Sequence, residues 1–160
     1  MITAAGIILL SLSIIGFGFS YGKELKNEKL CVDGLTALAE RINTRIRCFR
    51  QGIDEIFDGF TDPYLDSIGF TADLRQNGLL YALKNNEERL SVSRDIIAEA
   101  KKFAQNLGKS YYEEQLTLCS EFLSFLNDKK EKIKEGLPTK VKLSITLSCA
   151  LSALSAILFL

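Results

Sequence analysis

Histidine and tryptophan are absent from this 160-residue chain, proline occurs twice and methionine once. Without histidine, imidazole acid–base catalysis and imidazole ligation of metals are excluded. The 20 basic and 20 acidic side chains cancel to a formal net charge of zero, which leaves no electrostatic footprint for nucleic acid. The four cysteines form no C-x-x-C pair, so a zinc or redox motif is missing as well. Charge is absent altogether from residues 1–22 and 143–160. Every charged side chain falls between Lys23 and Lys142, where about a third of the residues are charged. Two uncharged, apolar ends around a charge-rich middle form the pattern of two membrane spans enclosing one water-soluble domain.

The segment Ile2 to Tyr21 supplies about 20 residues, enough helix at about 1.5 Å each to cross a hydrocarbon core of about 30 Å. A cleaved signal peptide would carry a basic start, a short apolar core and small residues at its cleavage site. Here no basic residue precedes the run, and Phe17, Phe19 and Tyr21 crowd its end. An uncleaved anchor is expected. The second expected span, Leu143 to Leu160, is diluted by serines spaced four apart. Ser144, Ser148, Ser152 and Ala156 share one helical face, and small residues on one face let another helix approach closely in lipid. Ala4, Ser11, Gly18 and Gly22 form a matching set in the first helix. The expected packing residues are therefore Gly18, Gly22, Ser144, Ser148 and Ser152, with the spans meeting each other or copies of themselves as a homo-oligomer. The plainer alternative is that the serines dilute the apolar run and bond to backbone carbonyls.

Lysines set the expected orientation. Lys23, Lys26 and Lys29 follow the first span, and Lys129, Lys130, Lys132, Lys134, Lys140 and Lys142 precede the second. By the positive-inside rule the middle domain lies in the cytoplasm. The expected organisation is a transmembrane helix at 1–22, a cytoplasmic helical bundle at 23–140 and a C-terminal transmembrane helix at 141–160. The fold class is all-α, a membrane-anchored bundle. Reduced thiols fit a cytosolic compartment.

Within the middle, Leu35, Leu38, Ile42, Ile46, Phe49, Ile53 and Ile56 step by three and four, the period of a helix continuing from the first span. Gly22, Gly34 and Gly52 are its expected bends. Asp58-Gly59-Phe60-Thr61-Asp62-Pro63 breaks it, and Asp62 with Pro63 suits the start of a short helix. Thr71 is the expected cap of the next helix, which carries Leu74, Leu79 and Leu83 with Asn77-Gly78 inside it and Asn85-Asn86 at its end. Ser91 or Ser93 opens a helix bearing Ile96, Ile97, Ala100 and Phe103, and Gly108 sits where a left-handed cap would end it. Ser110 with Glu113 has the form of a capping box. The helix it opens carries Leu116, Cys119, Phe122 and Leu126, and Gly136-Leu137-Pro138 is expected to stop it. No segment alternates as a half-buried strand does.

No P-loop, dinucleotide fingerprint or nucleophile elbow occurs. Asp54, Asp58, Asp62 and Asp66 recur every four residues but lack the ligand spacing of a calcium loop. They read as a solvated acidic face. With no catalytic constellation, no metal and no cofactor expected, a non-enzymatic assembly role is the default.

The second half carries a family resemblance. Ile96-Ile97, then Phe103, Leu107-Gly108 and Gln115, together with the apolar end Ala156-Ile157-Leu158-Phe159-Leu160, resembles stage III sporulation protein AB of spore-forming Firmicutes. Tyr81-Ala82 stands where that family has an aromatic-small pair, usually with Trp. The first half departs from the family's Thr-Pro-Leu turn, since Arg50-Gln51-Gly52-Ile53 reads as helix and proline comes only at Pro63. Lys109 stands where an acidic residue often follows Leu-Gly. The match covers about 70 residues in motif and the whole chain in architecture.

That resemblance implies a platform protein of the channel between mother cell and forespore, with a helical domain like those of secretion and pilus platforms. Its implied partners are the cytoplasmic ATPase of the same operon and other stage III membrane proteins, besides the lipid bilayer. Leu107, Gly108, Ser110, Glu113 and Gln115 are the expected structural or partner residues. The alternative is a bacterial two-span scaffold or signalling adaptor unrelated to sporulation.

Overall fold

A computed structural model describes the backbone of residues 2–49 and 56–158, with side chains at 20–48 and 56–154 and at Ser13, Gly16 and Ile157. It is all-helical among the described residues. The helices are α1 (Ile2–Phe49), α2 (Pro63–Ser67), α3 (Phe70–Asn77), α4 (Leu79–Asn85), α5 (Arg94–Asn106) and α6 (Tyr112–Leu158). The chain divides into two units: Glu28–Glu131, and a second made of Met1–Asn27 with Lys132–Leu160.

The Glu28–Glu131 unit is built on the apolar stripe anticipated for α1. Val32, Leu35, Leu38, Ala39, Ile42 and Ile46 are buried, as are Ile56 and Phe57. Leu74 of α3, Leu79 and Leu83 of α4, Ile96, Ala100 and Phe103 of α5, and Cys119, Phe122 and Leu126 of α6 complete the core. Phe103 and Phe122 stack with ring centroids 4.4 Å apart and planes 13° from parallel, a geometry worth about 0.5–1.5 kcal/mol beyond area burial. Asp33 on α1 and Lys130 on α6 pair at 2.8 Å. Its hydrogen bond to the Asp33 carboxylate holds the Lys130 ammonium above its ordinary pKa.

Turn chemistry follows the sequence in some places. Asp62 caps α2, its Oδ1 accepting from the Tyr64 and Leu65 N–H groups at 3.0 and 2.9 Å, with Pro63 in the first turn. Gly59 turns with φ +67°, and the Arg41 guanidinium donates to the carbonyls of Ile56, at 2.9 Å, and Asp58. Arg75 closes on the Phe60 carbonyl at 2.6 Å.

Several expectations are corrected. Thr71 is no cap: Gly69, with φ +84°, precedes α3, and the buried Thr71 hydroxyl bonds Asp66 instead. Gly78, expected inside one helix, splits it into α3 and α4 because its φ of +79° and ψ of 172° leave the helical region. α1 runs unbroken through Gly22 and Gly34; Gly52 lies outside the described residues. Gly34 instead seats α2, for a Cβ there would meet Asp62 Oδ1 at 2.8 Å and Leu65 Cδ1 at 3.0 Å. Pro138 does not end the last helix, which runs through it. Proline removes one hydrogen bond, whereas a helix end leaves four carbonyls without intrahelical donors.

Among the described residues no helix is long and apolar enough to cross a membrane. Nearly all side chains of the first expected span, and the last residues of the second, lie outside the described residues.

Candidate functional site

Two places gather the residues singled out above, one in each unit. In the Glu28–Glu131 unit the place is the turn between α5 and α6. The Leu107 N–H bonds back to the Phe103 carbonyl at 3.0 Å, and the chain reverses at Gly108 with φ +81°. Leu107 is buried and plugs the turn from below. Gln115, only 6% exposed, reaches across from α6. Its Oε1 accepts from the Gly108 N–H at 2.9 Å, and its Nε2 donates to the Asn106 carbonyl at 3.3 Å. One amide thus satisfies a donor and an acceptor freed by the end of α5.

The capping box is not formed in the anticipated register. The first bond of α6 runs from Gln115 N to the Tyr111 carbonyl at 2.9 Å, which puts the cap at Tyr111 and Ser110 one residue outside it. The Gln115 side chain ties the end of α5 to the first turns of α6. Ser110 and Glu113 are exposed. Together with Asn106, Glu114, Thr117, Leu118 and Glu121 they line an open groove of about 370 Å³. Leu107 and Gln115 are structural by burial; Ser110 and Glu113 are the ones a partner can touch.

Electrostatics in this unit are those of a quiet core. Burial, then the nearby Asp62 charge, pushes the Cys31 thiol up to about 12, and burial pushes Cys119 up to about 11. Neither is a nucleophile at neutral pH, since the thiolate is the reactive form. A hydrogen bond from Lys129 holds the exposed Asp95 carboxyl down at about 2. All four cysteines are free, Cys48 and Cys149 being exposed. No group of three or more Cys, Asp or Glu among the described residues could hold a metal ion.

In the other unit two of the expected packing residues, Ser144 and Ser148, line one groove of about 640 Å³. Ser13 and Tyr21 line it from α1, and Lys140, Leu143, Ser144, Leu147, Ser148 and Leu151 from α6. A Cβ on the buried Gly22 would stand 3.8 Å from Val141 Cγ1, so the helices come close there. The surroundings of Gly18 lie outside the described residues. Ser144, Ser148 and Ser152 are half-buried, while Leu143, Leu147, Leu151, Leu154 and Ile157 are 64, 57, 47, 62 and 74% exposed. The Thr146 hydroxyl donates back to the Lys142 carbonyl at 2.9 Å. Half-buried serines beside exposed leucines reverse the order of a helix pair folded in water.

The Lys140 side chain folds back along α6. A Cβ on Gly136 would stand 3.5 Å from its Cε and 3.9 Å from its Nζ, so the ammonium sits a turn toward the charged half of the helix. Tyr21, 45% exposed, lines the same groove. The sequence marks Ser144 and Ser148 by their spacing, and Tyr21 and Lys140 as flanks of the uncharged runs with the lysines near the second run suited to anionic headgroups, but it does not join them in one groove.

The chain matches no protein-family model, no curated protein sequence and no solved structure.

Proposed function

We propose that the chain is a non-enzymatic membrane platform, with the Met1–Asn27 and Lys132–Leu160 helices anchored in lipid and the Glu28–Glu131 unit in the cytoplasm. The observation that carries this reading is the reversed burial of α6, where the serines are half-buried and the leucines exposed. In water each exposed leucine would forgo on the order of 1 kcal/mol of burial, whereas in lipid nothing is forgone. Lysines flanking both uncharged ends support the cytoplasmic side for the middle. The lack of histidine and the inert buried thiols fit a chain that assembles rather than catalyses. The sporulation role, linking a cytoplasmic ATPase to the membrane complex of the mother cell–forespore channel, rests on the resemblance of residues 96–115 and the apolar end. The acid-rimmed groove at Ser110 and Glu113 offers three carboxylates to such a partner.

Two measurements test this. Exposed Cys48 should react with a membrane-impermeant maleimide only after cells are permeabilised; labelling of intact cells would invert the topology. Cys31 and Cys119 are buried and do not report on sidedness. Deleting the gene should stop spore formation after engulfment while vegetative growth continues. Normal sporulation would remove the sporulation role and leave a two-span scaffold or adaptor.

A further inference from the structure

We infer that the groove between the N-terminal half of α1 and the C-terminal half of α6 holds one acyl chain of an anionic phospholipid, with the headgroup phosphate at Lys140 and Tyr21. This rests on the membrane reading above and makes it specific to one lipid class.

The groove's chemistry changes along its length. One wall is Leu143, Leu147 and Leu151 at successive turns, and Ser144 and Ser148 lie beside them. That is a surface for hydrocarbon, with no charge along it. At the other end stand Lys140, a cation with no ion-pair partner among the described residues, and the Tyr21 hydroxyl. A basic side chain bent back from an apolar stretch and an aromatic side chain with a polar tip are the two residue types that sit at headgroup level. Tail below and anion above is the order of a phospholipid. At about 640 Å³ the groove falls within the range of about 300–1,000 Å³ typical of small-ligand sites. The unmatched positive charge calls for an anionic occupant, which the uncharged run 143–160 of a second copy does not supply.

The test uses the full chain in nanodiscs of phosphatidylcholine or phosphatidylglycerol, each doped with the matching lipid bearing a photoreactive group in its acyl chain. Crosslinks are mapped by mass spectrometry. They should concentrate between Leu143 and Leu151, with a higher yield for phosphatidylglycerol. Lys140→Gln should lower that preference about fivefold, the contribution of one lysine near an anionic surface. Lys142→Gln, which removes an exposed lysine outside the groove, should leave it unchanged. Equal labelling of Leu154 and Ile157, equal loss in both lysine variants, or copy-to-copy crosslinks at Ser144 and Ser148 that exclude lipid would each overturn the inference. Alkaline carbonate extraction separates the two levels. Release of the protein defeats the membrane reading itself, and retention with scattered crosslinks defeats only the lipid site.

Discussion

Replacing Gln115 is the sharpest perturbation of the Glu28–Glu131 unit. Gln115→Ala removes the bonds to Gly108 and Asn106, each worth about 1 kcal/mol net. Asn106 and Gly108 are exposed, so water can reach the freed backbone groups and no orphan penalty is added. The lost side-chain methylenes add about 1 kcal/mol. The expected loss is therefore about 2–3 kcal/mol. Gln115→Leu keeps the methylenes and should cost about 1–2 kcal/mol, while Ser110→Ala, outside the cap, should cost nothing measurable. Buried Cys119 lies one turn beyond Gln115 on α6 and supplies the assay, because its thiol reacts only when the structure opens. A loss of 2 kcal/mol should speed its modification at pH 8 about 30-fold. Buried Cys31, on α1, distinguishes local fraying from opening of the whole unit. Unchanged labelling in Gln115→Ala, or equal acceleration in Ser110→Ala, would refute the reasoning and restore the capping box.

Two glycines within helices should respond with opposite signs: Gly34→Ala should lose about 1–3 kcal/mol through collision with Asp62 and Leu65, and Gly136→Ala should gain about 0.5–1 kcal/mol of helix stability, both read by equilibrium denaturation. Asp95, with its carboxyl held at about 2 by Lys129, contributes stability that is complete above its ordinary value of 3.8 and is lost as pH falls toward 2; its side chain is 52% exposed, so Asp95→Asn should cost under about 0.5 kcal/mol at pH 6 and nothing at pH 2, a difference that salt should also erase. Ser148→Leu with Ser152→Leu should still insert into membranes but lose the disulfide that forms between cysteines placed at Gly22 and Val141, and an undiminished disulfide would make the serines mere diluents.

What the sequence made legible was local. Asp62-Pro63 announces α2 because cap and first turn are adjacent residues, and Gly108 announces the end of α5 because only the left-handed region fits there. The α1 stripe from Leu35 to Ile46 was legible by period alone. The rest depended on partners distant in sequence or on competition between adjacent signals. Gly34 resembles a helix-weakening glycine until Asp62 and Leu65 arrive against it. Thr71 lost the cap to Gly69, whose backbone reaches a conformation threonine avoids, and Ser110 lost it to Tyr111, whose carbonyl takes the first bond of α6. Pro138 has the form of a stop, yet in a long helix it removes one bond and the helix continues. In the apolar groove, spacing gave the serines, but the part played by Lys140 depends on which way its flexible stem lies.

The packing of α1 against α6 in the Glu28–Glu131 unit also has a kinetic side. Leu38 and Ile42 line one internal space with Phe122, a partner about 80 residues later in the chain. At about 5–20 residues per second of synthesis, the α1 stripe stays uncovered for roughly 4–16 s before Phe122 is made. Helices α2 to α5 can shield part of it meanwhile, but the Phe103–Phe122 stack and the Asp33–Lys130 pair close last. The nascent chain therefore presents an apolar helix to its surroundings longer than a domain assembled from neighbouring hairpins would. Its vulnerable period is during translation, when a chaperone or an early hold on α1 would matter most.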